Sequence, residues 1–481
     1  MTPTSRHRSR AGDECDVDIK ALIPGGRGVG VLRLLGDENE FSIVVPGSAP
    51  GDRLHVRLDR VYRDRAEATI LEVLAPGPGR VAASCPHLRE GCGGCSWQHL
   101  AYESQLSAKE TVVRGCLAEL AAVANVAIEP IVAADSPWFY RNKMEFTFNA
   151  NDGLGLHVAG NWRRVVPITE CRLESDLAMR IVTRVSRFVK DHALSSWNPD
   201  TGDGLLHELV IRHGRGTGQT MVGLVTAAGD FPEVGALAEA VVALDSSIVS
   251  VVRGVRSREQ RASPMDAIIT LAGQDAIIEE VSGLRFSIGL QTFIQTNTAQ
   301  AERMLRGVIT EVEDGLAGDD VPGVVIDIFC GVGFFTLGVA ARGYTTIGVE
   351  IIEASIAVAR DNASLNEIHN ATFYTGDARR ALPQILETHG RPGVVILDPP
   401  RSGAGGKVMR RIARAEPKRI VYVSCNPVTL VVDLKELVPF GYEITRVQPI
   451  DLFPQTYHVE TIVTIDRRPD APPAVDVSRR R

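Results

Sequence analysis

The chain of 481 residues lacks long hydrophobic runs. No stretch of about 18 consecutive apolar residues occurs, which argues against a membrane-spanning helix. The first residues, MTPTSRHRSRAGDEC, carry basic charge but lack the apolar segment of a secretory signal peptide. We therefore expect a cytoplasmic protein without a membrane segment. The length and the hydrophobic fraction of 44% predict a globular protein of roughly two to four domains.

The composition also lacks an excess of basic residues. With 52 Lys and Arg residues against 59 Asp and Glu residues, the formal net charge is −7. A nucleic-acid-binding surface is usually accompanied by net positive charge, so any such surface must be local. Two basic groups are candidates, and each also fits a solvated face of a helix or strand. They are Arg57, Arg60, Arg63 and Arg65, and Arg401, Arg410, Arg411, Arg414, Lys418 and Arg419.

The eight cysteines do not predict a disulfide framework, because a cytosolic chain is kept reduced. Cys85, Cys92 and Cys95 form a C-x6-C-x2-C cluster in CPHLREGCGGC, whereas the other five cysteines are isolated in sequence. Three thiolates with one further ligand would suit either tetrahedral zinc or an iron–sulfur cluster. The spacing does not decide between these two occupants.

Three changes of pattern predict three domains. Short apolar runs broken by Gly, Pro and Asp predict a small antiparallel β-barrel at residues 12–76. Residues 77–284 combine the cysteine cluster with helical and strand patterns, and predict an α+β domain. In residues 285–470, apolar strands alternate with helical segments, which is typical of a doubly wound α/β sheet. Such sheets bind ligands at the carboxyl ends of their strands.

The third domain carries the pattern of a nucleotide-like cofactor site. VVIDIFCGVGFFTL predicts a strand, a tight turn at Gly331 and Gly333, and a helix. The next strand ends on Glu350, which can accept hydrogen bonds from both hydroxyls of a ribose, and Asp377 follows the third strand. Thr336 replaces the third glycine of the dinucleotide fingerprint, which favours S-adenosylmethionine over a nicotinamide cofactor. A glycine turn that only packs a helix on a strand is the alternative.

The fourth strand of this series ends in ILDPPRSG. Pro399 and Pro400 cannot continue a sheet ladder, so they direct the chain out of the sheet and hold Asp398 at the predicted pocket. Methyltransferases that act on amino groups often have an asparagine at this point. Asp398 therefore makes an amine target less favourable.

The fifth strand, IVYVS, is followed by Cys425, and Asn426 and Pro427 then begin a helix. The positive end of that helix would favour a thiolate, as in reactive cysteines. A buried, unreactive cysteine fits the same position. Downstream, His458 and Glu460 precede the last strand, and Glu460 is the better candidate for a base. A nucleophilic thiol, a methyl donor and a carboxylate together suit methylation of C5 of a pyrimidine.

These residues resemble the RNA 5-methyluridine (uracil-5-) methyltransferase family over nearly the whole chain. The motifs are YRNKMEFTF, FIQTNTAQAE, DIFCGVGFFTL, LDPPRSG, VYVSCNP and LFPQTYHVET. The resemblance implies an N-terminal OB-like TRAM barrel that binds RNA, a central α+β domain and a C-terminal Rossmann-like methyltransferase domain. It also implies a ribosomal or transfer RNA substrate and no obligate protein partner.

The resemblance makes Cys425 the nucleophile and Glu460 the base. It assigns the methyl-donor pocket to Gln295, Phe329, Glu350, Asp377 and Asp398. The family usually has a polar residue after the second glycine of the turn, where this chain has Phe334, so one side-chain contact to the cofactor is expected to be missing.

The resemblance also places the fourth cluster ligand at Cys171, beside Cys85, Cys92 and Cys95. It favours an iron–sulfur (4Fe-4S) cluster, with zinc as the less favoured occupant. The spacing differs from the C-x3-C-x2-C of radical enzymes, which favours a structural or RNA-positioning role. Two further functions stay open: a cytosine-5 or small-molecule methyltransferase, and a non-catalytic RNA-binding protein.

Overall fold

The computed structural model describes residues 10–33, 40–118, 120, 126, 128–151, 153–198, 200–256, 265–318 and 323–474. These residues form a closed barrel, two seven-stranded sheets and a two-stranded sheet. In the described ranges, no helix combines the length and the apolar character needed to cross a membrane.

The N-terminal barrel has five strands in the closed order β1-β2-β3-β5-β4. They are β1 Glu14–Ile23, β2 Arg27–Arg33, β3 Glu40–Val45, β4 Arg53–Val61 and β5 Arg65–Ala75. Leu54, Val56 and Leu58 alternate along β4 and fill the interior, as the two-residue period of a strand requires. The predicted barrel is confirmed, although β3 and β5 pair in parallel.

The second sheet has the order β12-β11-β10-β9-β6-β7-β8. Its strands are β6 Lys143–Asn149, β7 Gly153–Val158, β8 Asn161–Pro167, β9 Leu206–His213, β10 Thr220–Thr226, β11 Ile248–Val255 and β12 Ala267–Gly273. Two helices, α2 Asp176–Asp191 and α3 Val234–Val242, pack on it. The buried side of α2 includes Ile181, Val185 and Phe188, at the spacing of an amphipathic helix. This spacing leaves the arginines of α2 on the opposite side.

A hairpin and a long helix connect the two large sheets. The hairpin consists of β13 Ile277–Val281 and β14 Leu284–Ile288, and α4 Thr298–Leu316 follows it. The hairpin spans the predicted boundary between residues 284 and 285. Its side chains Ile277 and Phe286 share one core with α4 and with the C-terminal sheet.

The C-terminal sheet has the order β17-β16-β15-β18-β19-β21-β20. Its strands are β15 Val324–Ile328, β16 Thr346–Glu350, β17 Ala371–Thr375, β18 Pro392–Leu397, β19 Arg419–Ser424, β20 Tyr442–Ile450 and β21 Glu460–Arg467. The helices between them are α5 Phe334–Ala340, α6 Glu353–Leu365, α7 Ala378–His389, α8 Gly406–Ala415 and α9 Pro427–Lys435. The strands β15 to β19 are parallel, and the strand order reverses between β15 and β18. Ligands of doubly wound sheets bind at such a reversal.

One helix of the segment 77–284 packs against the C-terminal sheet. This helix is α1, Tyr102–Leu117, and its residues Val113 and Leu117 are fully buried. They share a hydrophobic core with β15, β19 and α9. Each such side chain contributes about 1.5–3 kcal/mol by burial. Part of the segment 77–284 therefore supports the domain that follows it.

Candidate active site

A cavity of about 380 Å³ lies at the carboxyl ends of β15, β16 and β17, beside the reversal of strand order. Two of the predicted cofactor residues, Phe329 and Asp377, line it. Gly403 and Lys407, from the segment after β18, close the other side. The cavity therefore lies where the topology of the sheet predicts a ligand.

The turn after β15 has an unusual backbone. Phe329, Gly331 and Gly333 have φ angles of 69°, 54° and 86°, all in the left-handed region. This region is uncommon for a residue with a side chain, and such strain is concentrated at ligand sites. A side chain at Gly333 would meet Leu337 and Phe373 at 3.3 Å, whereas the space beside Gly331 is open. Gly331 thus leaves room for a ligand next to the backbone.

Glu350 fixes this turn to the end of β16. Its carboxylate accepts hydrogen bonds from the backbone N–H groups of Gly331 at 3.2 Å, Ile351 at 2.7 Å and Ile352 at 3.0 Å. A carboxylate has about four acceptor positions, so one remains for a ligand hydroxyl. Glu350 therefore shapes the glycine turn in addition to its predicted contact with a ribose.

Asp377 caps the start of α7 by accepting a hydrogen bond from the Arg379 N–H at 2.8 Å. The Arg379 side chain also pairs with it, and this hydrogen bond holds the pKa of Asp377 down at about 2. Asp377 is therefore ionised at neutral pH, in a position to accept hydrogen bonds from a ligand in the cavity.

Asp398 and Asp327 are two carboxyl groups at the adjoining ends of β18 and β15. Burial, with a smaller contribution from the other carboxyl, raises the pKa of Asp398 to about 7. Asp327 also has a pKa raised to about 7 by burial, and it accepts a hydrogen bond of 2.6 Å from Thr336. Gln295 donates to Asp398 over 3.4 Å. A cationic ligand next to Asp398 would favour its ionised form.

Cys425 lies between the end of β19 and the start of α9. The Asn426 side chain accepts a hydrogen bond from the Val428 N–H at 3.1 Å, so the predicted helix cap is confirmed. The side-chain amide of Asn426 donates to the Arg401 carbonyl at 3.1 Å and so holds the turn against the segment after β18. Cys425 is therefore held between the last residue of β19, Ser424, and the helix cap at Asn426.

Glu460 begins β21, which pairs antiparallel with β19. Because Ser424 is opposite Thr461, the next position of the register brings Cys425 and Glu460 side by side. The Glu460 side chain is 3% exposed. Burial, followed by the charge of Asp398, raises its pKa well above the ordinary value and favours the protonated form.

The thiol of Cys425 does not show the lowered pKa predicted from its helix. Burial, and then the charges of Glu460 and Asp398, raise its pKa to about 12. Arg401 is the cation that opposes this rise at both Cys425 and Glu460. The structure thus brings a thiol, two carboxyls and an arginine together, next to the segment after β18 that lines the cavity from Gly403 onward.

Comparison with known proteins identifies the family. The model of the tRNA (uracil-5-)-methyltransferase family matches residues 274–468. An RNA methyltransferase of Bacillus cereus is 31% identical over 92% of this chain and 94% of its own length. One from Porphyromonas gingivalis is 34% identical over 89% of this chain and 96% of its own length. The chain belongs to the RNA (uracil-5-)-methyltransferase family.

A solved structure agrees with this family. It is the tRNA (uracil-54, C5)-methyltransferase of Pyrococcus abyssi in complex with S-adenosyl-L-homocysteine, with a TM-score of 0.75 and 28% identity. The match covers 94% of this chain and 100% of the other. The predicted family and the Rossmann-like C-terminal domain are therefore confirmed. The predicted S-adenosylmethionine-dependent RNA methyltransferase activity is also confirmed.

In this family member, the loop before Glu460 is anchored by α1. Lys109 and Asp451, both fully buried, form an ion pair of 2.5 Å, and Tyr102 donates to the same carboxylate at 2.8 Å. Gln105 accepts from the Gln455 N–H at 2.9 Å. These polar residues were missed from the sequence. The available signal was a glutamine and a lysine at the helical spacing of the buried apolar residues Ala108, Val112 and Val113.

His458 lies at the other end of this loop. Its Nε2 is 3.3 Å from the guanidinium of Arg401, and its ring packs on Phe453 and Tyr457. Burial, with a smaller contribution from Arg401, lowers the pKa of His458 to about 4. The imidazole is therefore neutral at pH 7 and can accept a hydrogen bond from Arg401.

The four predicted cluster cysteines line one small cavity of about 20 Å³. All four are free thiols. Burial raises the pKa of Cys92, and it raises those of Cys95 and Cys171 to about 12 and about 11. Within the described ranges, however, no three Cys, His, Asp or Glu side chains are already arranged to hold a metal ion.

The segment after these cysteines supports the loop before Glu460. The backbone N–H groups of Ser96 and Trp97 both donate to the Gln455 carbonyl at 3.0 Å. The Ser96 hydroxyl accepts from the Tyr457 N–H at 3.2 Å. The cysteine segment therefore contacts the loop a few positions before Glu460, although the two segments are far apart in sequence.

The second basic group from the sequence divides into two parts. Arg419 begins the interior strand β19 and pairs with Asp466 of the neighbouring β21 at 2.7 Å. In contrast, Arg410, Arg411 and Arg414 lie on one side of α8 together with Lys407, which was not in the predicted group. With Arg379 they line a cavity of about 240 Å³, which adjoins the cofactor cavity because Arg379 and Lys407 line both. The charges of α8 thus form a local basic surface, and Arg419 does not belong to it.

Proposed function

We propose that this protein transfers a methyl group from S-adenosylmethionine to C5 of a specific uridine in ribosomal or transfer RNA. The observation that carries the proposal is the proximity of Cys425 and Glu460, which directly follow the last register pair of β19 and β21 and influence each other by charge. S-adenosylmethionine supplies an electrophilic methyl group on a positively charged sulfur. Phe329, Glu350 and Asp377 would hold its nucleoside part, and Gln295 and Asp398 its charged part.

The reaction begins with the thiolate of Cys425, which forms a bond to C6 of uracil and makes C5 nucleophilic. C5 takes the methyl group, and S-adenosylhomocysteine leaves. Glu460 as carboxylate then removes the C5 proton. The bond between sulfur and C6 breaks, which restores the C5–C6 double bond and releases the thiolate.

Both catalytic groups must be ionised for this sequence, although burial favours their neutral forms. The guanidinium of Arg401 acts against burial at both groups. A bound sulfonium would add a second positive charge beside Asp398. Because the target base must leave its stack to reach Cys425, the enzyme acts on a flipped or single-stranded nucleotide.

The test uses RNA from a strain that lacks uracil-5 methylation. The wild-type protein, incubated with S-adenosylmethionine and this RNA, should produce 5-methyluridine at one mapped position. If 5-methylcytidine appears instead, the substrate is cytosine and the protein is a cytosine-5 methyltransferase. If no RNA is methylated, the proposed enzymatic function is wrong, and a non-catalytic RNA-binding protein is favoured.

A second experiment tests the two catalytic roles. Glu460→Gln should accumulate a covalent adduct between protein and RNA, because proton removal precedes release of Cys425. The adduct should be visible as a shifted band in a denaturing gel after incubation with S-adenosylmethionine. Cys425→Ala is the matched control and should form none. An equal amount of adduct in both variants would show that Cys425 is not the nucleophile.

We further propose that Cys85, Cys92, Cys95 and Cys171 hold an iron–sulfur (4Fe-4S) cluster. Their common cavity and free thiols support this assignment, and cation binding would relieve the raised pKa values of the buried thiols. The side chains would have to turn toward a shared centre on binding. Because Ser96 and Trp97 bind Gln455, the cluster would be structural and would position the catalytic loop.

The occupant can be identified after anaerobic purification. About four iron and four sulfide per chain would support the cluster, whereas about one zinc per chain without sulfide would support the alternative. A protein that contains neither metal after anaerobic purification, yet keeps full activity, would contradict both.

The N-terminal barrel is proposed to be the TRAM-type RNA-binding domain, at residues 12–76. Its strands β4 and β5 carry exposed arginines, and Arg65 lies over the ring of Tyr62 at 4.7 Å. Stacked Arg and Tyr side chains are suited to unpaired bases. Removal of this surface should therefore weaken RNA binding without a change in cofactor binding.

A further inference from the structure

A large groove in the middle of the chain has no role in the chemistry described above. It has a volume of about 760 Å³ and lies between α2 and the segment around Cys171. Four arginines line it, Arg172, Arg180, Arg184 and Arg187, together with the carboxylates of Glu170 and Asp176. The lining therefore carries more positive than negative charge, in a protein whose net charge is −7.

Three of these arginines are available to a ligand. Arg180 is held by Asp245 and by the Leu244 carbonyl. Among the described residues, Arg172, Arg184 and Arg187 have no carboxylate within ion-pair distance. Arg184 and Arg187 are one helical turn apart, on the side of α2 that faces away from its buried residues. Their guanidinium groups can therefore contact successive anionic groups.

An aromatic side chain stands at the edge of the same groove. Phe139 is 49% exposed and has a φ angle of 54°. Its backbone N–H donates to the Arg172 carbonyl at 2.7 Å, which places the ring beside the arginines. An exposed aromatic residue in a strained backbone conformation is unfavourable by itself and is a feature of binding sites. Phenylalanine has a flat face on which any base can stack.

The residues that follow Phe139 connect the wall of the groove to the active-site region. The hydroxyl of Tyr140 donates to the Pro454 carbonyl at 3.0 Å, in the loop before Glu460. The side chain of Asn142 donates to the Gln295 carbonyl at 2.9 Å. A polymer bound in the groove could therefore continue from the cysteine segment toward Cys425.

From these contacts we propose that the groove binds a single-stranded segment of the substrate RNA next to the target nucleotide. Arg172, Arg184 and Arg187 bind its phosphates, and one base stacks on Phe139. This inference rests on the proposed function, since it assumes that RNA is the substrate. It assigns the RNA-binding role to α2 and not to α8, whose arginines form the other basic surface.

The test compares two matched pairs of substitutions. The double variant Arg184→Gln/Arg187→Gln removes two charges from α2, and Arg411→Gln/Arg414→Gln removes two charges at the same spacing from α8. A fluorescent 20-nucleotide RNA of random sequence is the probe, and its Kd is measured over a range of salt concentrations. The α2 variant should bind more weakly, with a slope of log K against log salt reduced by about 1.4, or about 0.7 per phosphate.

The α8 variant should keep the wild-type slope. Phe139→Leu should weaken binding at least about fivefold with an unchanged salt slope, because stacking is not ionic. Equal losses in the α2 and α8 variants, or no loss in the α2 variant, would overturn the inference. So would a wild-type protein that does not bind the probe.

Kinetics separate this inference from the proposed function. With RNA that the wild-type protein methylates, the α2 variant should raise the KM for RNA about tenfold and leave kcat unchanged, since phosphate contacts away from the reacting base give uniform binding. If the wild-type protein binds the probe in the groove but methylates no RNA, the groove assignment stands and the proposed function fails.

Discussion

Two regions of the protein contain buried thiols with raised pKa values, and they differ in what surrounds the sulfur. Cys425 faces Glu460 and Asp398, with Arg401 as a counter-charge. Cys92 and Cys171 are influenced by other cysteines and by nearby glutamates. The first environment combines a thiol with two carboxyl groups and a guanidinium, whereas the second brings several thiols to one cavity.

The comparison shows that burial alone does not identify a catalytic cysteine. Burial raises the thiol pKa in both regions and favours the unreactive form in both. The difference lies in the neighbours and in the site that they border. Cys425 adjoins the segment after β18 that lines the cofactor cavity, whereas the cysteine segment contacts the loop before Glu460.

The largest expected effect comes from removal of the thiol proposed as the nucleophile. Cys425→Ala should lower kcat at least about 10³-fold, because the covalent step is lost. The melting temperature and any bound iron should stay as in the wild type. Cys15→Ala, in the barrel, is the control and should retain full activity. Substantial methyl transfer by Cys425→Ala would remove the distinction between the two regions.

A thiol of the other region should give the opposite result. Cys92→Ala should lose bound iron and lower the melting temperature, while part of the activity remains, because this segment supports the loop and does not touch the base. Iron content, the melting curve and kcat measured on one preparation check this expectation. Unchanged iron content and stability would show that Cys92 is not a ligand.

Loss of the buried ion pair between Lys109 of α1 and Asp451 should mainly affect stability. Lys109→Met leaves Asp451 without its charged partner and should destabilise the protein by about 3–5 kcal/mol. Thermal unfolding measures the loss. Lys143→Met breaks the more exposed pair with Glu145 and is the control, with an expected loss of at most about 1 kcal/mol. Equal losses would mean that the buried pair is not the anchor.

Much of the active site could be predicted from the sequence because its signals are local. The turn at Gly331 and Gly333, the cap at Asn426 and the strand that ends before Cys425 each depend on a few consecutive residues. The alternation of strands and helices then placed the ends of those strands at one edge of a sheet. The cofactor cavity lies at that edge.

The features that were missed depend on contacts between distant residues. Lys109 and Asp451 are separated by 342 positions, and no local pattern connects them. The groove lined by the arginines of α2 could not be predicted, because it depends on how the helix packs and which of its sides is exposed. The helix at Cys425 predicted a lower thiol pKa, but burial and two carboxyls, which belong to other strands, outweigh it.

The smallest expected effect concerns Arg401, which distinguishes the environment of Cys425 from that of Cys92, Cys95 and Cys171. A thiol with a raised pKa is mostly protonated at neutral pH, so its reactive fraction increases as the pH rises toward that pKa. The kcat/KM should therefore increase from pH 7 to pH 9. Arg401→Gln removes a charge that lowers the pKa, so the whole profile should move to higher pH. At pH 8 the loss should be roughly threefold, as a half-unit pKa change produces.

Alkylation by iodoacetamide measures the same thiolate without RNA or cofactor. The rate at Cys425, followed by mass spectrometry of its peptide, should increase over the same pH range and should shift with Arg401→Gln. The rate at Cys95 should not shift, because Arg401 is not among the charges that influence it. Arg411→Gln on α8 is the matched control and should leave both rates unchanged. A shift at Cys95 equal to that at Cys425 would show that Arg401 acts through the general fold and not on the catalytic thiol.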